Sequence, residues 1–247
     1  MTRTLSLHLL NPKQPMEEFP PIDTAWDEPN GLLAVGGDLS VTRLENAYRS
    51  GIFPWFGPDE PIYWWSPDPR AVLFPGRIRI SRSLRKSIRN KGYTIIFDKN
   101  FSKIVQACAA PRNYASGTWI TEDMHAAYCR LHQAGLAHSV EVYNAEDKLV
   151  GGLYGVAAGG VFCGESMFSK EPDTSKIAFV ALAYHLVKWG FAAIDCQISN
   201  PHLTSMGAEE ITRERFRNIL KANPDTPEDT DWQIDNTADL SLWHPVS

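Results

Sequence analysis

The 247-residue chain is poor in the features that mark special classes of protein. Cysteine is scarce: Cys108, Cys129, Cys163 and Cys196 stand too far apart for a CxxC pair or a zinc-ligand cluster. That excludes a disulfide framework and predicts reduced, mostly buried thiols. Long apolar runs are missing. The longest, residues 177–184, is eight residues, far below the ~18 that span a bilayer. The first fifteen residues lack the apolar stretch and small-residue cleavage site of a secretory signal, so a soluble cytoplasmic protein is expected, with no membrane partner. Familiar enzyme strings are absent too. There is no GxxxxGK[ST] phosphate loop and no HExxH zinc motif. Residues 164–168 (GESMF) miss the nucleophile elbow because Phe168 stands where glycine is needed. No internal repeat or low-complexity segment is present.

Charge is sparse in one sign and then concentrated. Lys and Arg number 24 against 29 Asp and Glu, a net charge of −5 that by itself argues against a nucleic-acid partner. The distribution reverses that argument. Residues 77–91 (RIRISRSLRKSIRNK) hold seven basic and no acidic residues, leaving 17 basic against 29 acidic elsewhere. Helical spacing from Ser81 puts Arg82, Lys86 and Arg89 on one face, with Arg85 nearby and Leu84 and Ile88 opposite. Such a face is either merely solvated or contacts a polyanion. So large an imbalance in so short a window favours the polyanion. An apolar side of only two residues fits a membrane surface poorly.

Proline marks the organisation. Eleven of 17 prolines and four of eight tryptophans fall within the first 75 residues. This predicts a small loop-rich unit, residues 1–70, held by aromatic packing and containing one helix that starts after Ser40 and stops at Gly51. Residues 71–247 read as an α+β unit. A helix follows Thr121, then strands near 138–143, 148–157 and 160–168. A helix near 175–189 stops at Gly190, a strand runs to Gln197, and helices near 201–206 and 213–220 precede an irregular acidic tail. Three hairpin-linked strands, a crossover helix and a further strand resemble the N-acetyltransferase-like (GNAT) architecture. Fold alone does not give function.

Several residues invite chemistry, each with a plainer alternative. Asp195 and Gln197 alternate onto one face of the strand after the crossover helix. There they could orient an amine and accept its developing charge, or simply satisfy buried backbone groups. Glu165, inside the apolar strand 161–168, must have a partner, either a ligand group or a structural cation. Phe162, Met167, Phe179 and Leu182 could line a pocket for an apolar side chain or belong to the ordinary core. Trp55, Trp64, Trp65 and Trp119 could offer platforms to a nucleobase; for Trp64 and Trp65 a core role is the stronger reading. The segment 169–175 (SKEPDTS), where a CoA-dependent transferase keeps a glycine-rich pyrophosphate loop, has no glycine and two acids. A CoA-dependent N-acyltransferase and a non-catalytic RNA-binding module stay open as alternatives.

Seven local strings, at residues 28–34 (EPNGLLA), 36–40 (GGDLS), 48–56 (YRSGIFPWF), 64–70 (WWSPDPR), 117–120 (GTWI), 162–169 (FCGESMFS) and 195–197 (DCQ), occur together in this order. In that combination the sequence closely resembles the bacterial leucyl/phenylalanyl-tRNA–protein transferases from about residue 19 to residue 220. The resemblance implies a small N-terminal domain and an acetyltransferase-like C-terminal domain. It implies an activity that moves Leu or Phe, less well Met, from aminoacyl-tRNA to proteins beginning with Arg or Lys, tagging them for degradation, with no metal and no CoA. By motif, Asp195 and Gln197 would be the catalytic pair, with Gln197 orienting the incoming α-amine and Asp195 either hydrogen-bonded behind it or contacting the basic N-terminal residue. Glu165 would hold the 3′ adenosine or the aminoacyl ester, and Trp55 and Trp119 would pack on the adenosine. Arg82, Lys86 and Arg89 would bind the acceptor stem. A monomer is expected.

Overall fold

The computed structural model describes residues 7–110 and 119–245. The first seventy residues build a small sheet of four strands, β1 (His8–Leu10), β2 (Leu32–Gly36), β3 (Phe53–Pro54) and β4 (Tyr63–Trp65), in the order β1-β2-β4-β3. The expected helix, α1 (Val41–Arg49), is present, and the Ser40 side chain accepts from the Arg43 N–H. This cap satisfies one of the backbone donors that a helix start leaves unpaired. Trp64 is fully buried and donates its indole N–H to the Gly36 carbonyl, a core role rather than a platform.

A seven-stranded sheet follows, formed by β5 (Arg70–Leu73), β6 (Thr94–Phe97), β7 (Ala137–Tyr143), β8 (Leu149–Ala158), β9 (Val161–Ser169), β10 (Ala193–Gln197) and β11 (Glu209–Ile211), ordered β11-β5-β10-β9-β8-β7-β6. All neighbours are antiparallel except β9 and β10, whose parallel pairing requires the crossover helix α5 (Thr174–Trp189). The remaining helices are α2 (Arg82–Asn90), α3 (Phe101–Ala109), α4 (Glu122–Gln133), α6 (Pro201–Ser205) and α7 (Arg213–Ala222). The α+β expectation therefore holds at the level of class. Three features went unread in the sequence: α3, the flanking strands β5, β6 and β11, and the small sheet.

Period-two alternation sorts the large sheet into two faces. Leu153, Phe162, Val140 and Ile194 pack with α5, whose residues are apolar on nearly every side. Tyr154, Val156, Cys163 and Ala193 turn the other way and join α3, α4, α1, α7 and the small sheet in a second cluster, which also contains Leu10, Tyr48, Ile52 and Trp64. The two sheets thus share one buried cluster. Arg70 and Val72, and likewise Asp195 and Ala193, lie two apart on their strands, which aims Arg70 and Asp195 at this shared layer. Gly190, at φ 86°, gives α5 its left-handed stop. None of the four cysteines forms a disulfide; Cys108, Cys163 and Cys196 are buried and Cys129 half-buried, as expected of reduced thiols.

Candidate active site

β9 and β10 pair only from Val161 to Cys163 and from Ala193 to Asp195. Beyond that point β9 continues beside β8 and β10 continues beside β5, so the two strands separate and leave a wedge at their C-terminal ends. Bulges sit at the mouth of the wedge. The register of β8 with β9 jumps from Gly155↔Gly164 to Tyr154↔Ser166, leaving Glu165 unpaired in the ladder. The register of β10 with β5 jumps between Asp195 and Gln197, and Gln197 takes φ 54°. An extra residue on each strand re-aims the side chains that simple alternation would have sent elsewhere. Glu165 and Gln197 consequently meet across the gap, with Gln197 Nε2 donating to Glu165 Oε1 at 3.3 Å.

Behind this contact lies a closed polar network. Asp195 is 1% exposed and accepts two hydrogen bonds from Arg70, from Nε at 2.8 Å and from Nη2 at 2.7 Å. Asp195 Oδ1 also accepts from the backbone N–H of Gln197 at 3.0 Å. The third edge of the guanidinium donates to the Gly51 carbonyl, and its faces lie over the rings of Phe53 and Phe216 at 4.9 and 4.7 Å. The pair is fully enclosed, bidentate and hydrogen-bonded, the condition under which a buried ion pair is tolerated. The structure places Asp195 behind Gln197 with both oxygens engaged.

Glu165 Oε2 accepts from the Tyr128 hydroxyl at 2.5 Å, and that hydroxyl lies 2.9 Å from the Tyr48 hydroxyl. The partner that Glu165 requires is thus a hydrogen-bond chain, not a salt bridge. Burial pushes its carboxyl up to about 7, against the opposing pull of hydrogen bonds from Tyr128 and Tyr48. Burial likewise pushes the Tyr48 and Tyr128 hydroxyls well above the ordinary phenol range. Both shifts favour the neutral forms, and the neutral phenols act as donors.

A cavity of about 930 Å³ opens beside the small sheet, lined by Trp26, Trp55, Tyr63, Trp65, Trp119 and neighbouring residues. It brings Trp55 and Trp119 together. Trp55 is 46% exposed, and Trp65 packs edge-on against it while donating to its carbonyl. Phe53, whose ring covers Arg70, is two residues from Trp55 in the chain. Phe162, Phe179 and Leu182 lie instead in the closed core against α5, at 0–3% exposure, with Met167 packed at its edge. They do not line this cavity. Arg82, Lys86 and Arg89 are exposed on α2, whose one buried residue is Leu84. Residues 117 and 118 of the GTWI string lie outside the described residues.

Sequence reasoning missed Arg70, Tyr48 and Tyr128 as members of the site. Arg70 carried a signal, being a charge that opens the apolar run Ala71-Val72-Leu73-Phe74. The tyrosines read as part of helical apolar stripes. Among the described residues, one group could offer three ligand atoms to a metal: Asp98, His132 and His138, within 4.8 Å of one another. Three of the four ring nitrogens are already committed. His138 Nε2 points at the Gly135 carbonyl (3.1 Å), His138 Nδ1 at Asp98 (2.7 Å) and His132 Nδ1 at the Ala137 carbonyl (2.8 Å). A nitrogen that donates to a carbonyl has no lone pair to give a metal.

Comparison with known proteins finds matches along most of the chain. Residues 72–221 match the family described as leucyl/phenylalanyl-tRNA protein transferase, and residues 37–68 match the N-terminal domain of that family. A leucyl/phenylalanyl-tRNA–protein transferase of Pseudomonas syringae pv. syringae is 55% identical over 215 residues, covering 87% of this chain and 93% of the relative. One from Thiobacillus denitrificans is 60% identical over 198 residues, covering 80% and 86%. Among solved structures, L-PGS from Bacillus licheniformis aligns with a TM-score of 0.38 at 15% identity, covering 69% of this chain and 52% of that one.

Proposed function

The chain belongs to the leucyl/phenylalanyl-tRNA protein transferase family, and from that premise we propose that it moves Leu or Phe, less well Met, from aminoacyl-tRNA to the N-terminal α-amine of proteins beginning with Arg or Lys, marking them for degradation. The observation that carries the reading is the wedge between β9 and β10, where Glu165 and Gln197 face each other at 3.3 Å over the buried Arg70–Asp195 pair. The parallel β9–β10 pair and its crossover helix support an acetyltransferase-like domain from residue 71 onward. The small sheet supports a separate unit in residues 1–70.

The chemistry is undemanding. The donor ester is already activated, so the α-amine attacks its carbonyl carbon, the C–N bond forms and the bond to the ribose oxygen breaks. The proton lost by the amine ends on that oxygen. No covalent enzyme intermediate is needed, and positioning, worth up to ~7–11 kcal/mol in ideal cases, supplies most of the rate. Gln197 is the catalytic residue of this reading. Its amide N–H donates to Glu165, which turns its carbonyl oxygen outward to accept from the attacking amine. Asp195 is a positioning residue, holding the Gln197 backbone from behind. Glu165 steadies the aminoacyl-adenosine end, and with a carboxyl near pH 7 it can relay the proton between amine and leaving oxygen. Trp55 and Trp119 take the adenine in the aromatic cavity. Phe162, Phe179 and Leu182 are core residues that back the sheet behind the wedge, with Met167 at the edge of that core. Arg82, Lys86 and Arg89 contact acceptor-stem phosphates.

A CoA donor is disfavoured by the start of α5, where a pyrophosphate would be cradled. The Ser175 N–H there donates to Ser169 Oγ, and the Thr174 hydroxyl to the Val150 carbonyl. The reading is tested by transfer of labelled leucine from charged tRNA to a peptide beginning with Arg. Product is expected with that peptide and not with one beginning with Ala. Labelling from acetyl-CoA instead would overturn it.

A further inference from the structure

The family match ends at residue 221, yet the chain beyond it is firmly laid down. The Asn223 carbonyl accepts from the Gly160 N–H, and the Pro224 carbonyl accepts from Arg49. Trp232 lies flat on the His138 ring at 3.6 Å, with Phe97, Phe162, Trp189 and Phe191 around it. Asp235 pairs with Lys188 at 2.8 Å and donates its backbone N–H to His185 Nε2. Leu240 and Ser241 are buried, and Trp243 packs edge-on against Tyr184. Residues 223–245 thus form a strap that crosses α5 and ends on α2, where Arg85 Nη1 donates to the carbonyls of Ser241 (2.9 Å) and Trp243 (2.7 Å).

Helix α2 needs such a tether. Of its nine residues only Leu84 is buried. Besides the strap, its one side-chain hydrogen bond to the body among the described residues runs from Ser87 to Asp173 at 2.8 Å. A helix held by so little apolar area is free to rock unless polar contacts fix it. Arg85 lies on the same helix as Arg82, Lys86 and Arg89 but is half-buried and committed, whereas those three are exposed.

We propose that the C-terminal strap is a positioning element for aminoacyl-tRNA: by holding Arg85 on the Ser241 and Trp243 carbonyls, it fixes α2 so that Arg82, Lys86 and Arg89 present together to the acceptor-stem phosphates. The proposal rests on the reading of α2 as the tRNA-binding helix. It differs from two neighbouring ideas. If Arg85 itself bound phosphate, its loss would lower the salt dependence of binding. If the acidic strap masked Arg85, removing the strap would tighten binding.

The test compares wild type, Arg85→Met and a chain shortened to residue 238, which keeps Trp232 and Asp235. Leu-tRNA and leucyl-adenosine serve as donors. The expected result is a KM for Leu-tRNA raised roughly tenfold in both variants, the scale of one lost charged hydrogen bond. The kcat should stay near wild type, and combining the two changes should cost no more than either alone. Transfer from leucyl-adenosine should be unchanged, backbone amides of α2 should exchange faster, and Arg85→Met should keep the wild-type salt slope. A shortened chain that binds tRNA more tightly overturns the proposal. So does an Arg85→Met slope flatter by about 0.7–0.9, or wild-type exchange and KM in both variants. The triple Arg82→Ala, Lys86→Ala, Arg89→Ala variant separates the two levels. If it retains wild-type affinity, the reading of α2 fails. If it loses affinity while the strap variants do not, only the strap proposal fails.

Discussion

At Asp195 both carboxylate oxygens are engaged, by the Arg70 guanidinium and by the Gln197 backbone. The amide of Gln197, with the Glu165 carboxyl opposite it, is therefore what β10 turns toward the wedge. Gln197→Ala should slow transfer by on the order of 10²-fold with tRNA affinity unchanged, a split checked by comparing single-turnover rates with equilibrium binding. Asp195→Ala is a poorer probe, because it strands a buried guanidinium at a cost of about 3–5 kcal/mol. Replacing both partners, Arg70→Met with Asp195→Leu, should recover much of the stability measured by urea unfolding while transfer stays slow. Full activity in that double variant would show that the pair does not position Gln197. Glu165 gives a pH signature. Its folded-state value of about 7 lies above its ordinary 4.5, so the folded protein holds a proton to higher pH than the unfolded chain does. The stability it contributes is complete below pH 4.5, declines as pH rises, and is gone above about pH 7. Subtracting the stability–pH curve of Glu165→Gln from that of wild type should expose this decline. A difference that stays constant from pH 4.5 to 7 would contradict the placement of Glu165.

At the scale of elements, α2 is where charge and RNA meet in this account. Removing Arg82, Lys86 and Arg89 together should flatten the log K against log salt line by about 2–3, since each phosphate contact contributes about 0.7–0.9. Filter binding of Leu-tRNA across a salt series measures it. The sequence announced this helix through the Ser81 cap and the charge window, just as Ser40 and Thr121 announced others by accepting from their own third residues. Helix starts are local, and local chemistry is legible. Strands β5, β6 and β11, at three to four residues each, are too short to show a period and exist only through partners distant in the chain. The same holds for the site. The Asp195–Gln197 spacing was visible on β10, and Glu165 stood out as a charge in an apolar strand. The two bulges that turn Glu165 and Gln197 toward each other, and the Arg70 that neutralises Asp195 from 125 residues away, are products of sheet register, which no single segment encodes.

Across the whole molecule, an acidic body carries one basic helix; in the proposed reading, long-range charge draws in the tRNA and the wedge performs the transfer. Among the described residues no helix is long and apolar enough to cross a membrane. The two sheets share a single buried cluster, so the aromatic cavity of the first seventy residues and the wedge of the larger sheet are held in fixed relation, as a donor spanning both would require. The measurement that bears most directly on this account is the single-turnover transfer of labelled leucine from saturating Leu-tRNA to a peptide beginning with Arg, with wild type and Gln197→Ala side by side. The account predicts a new leucyl peptide bond at the α-amine with wild type, formed about 10²-fold more slowly by the variant at equal tRNA occupancy. Equal rates from the two proteins, or no peptide bond formed by wild type, would contradict it.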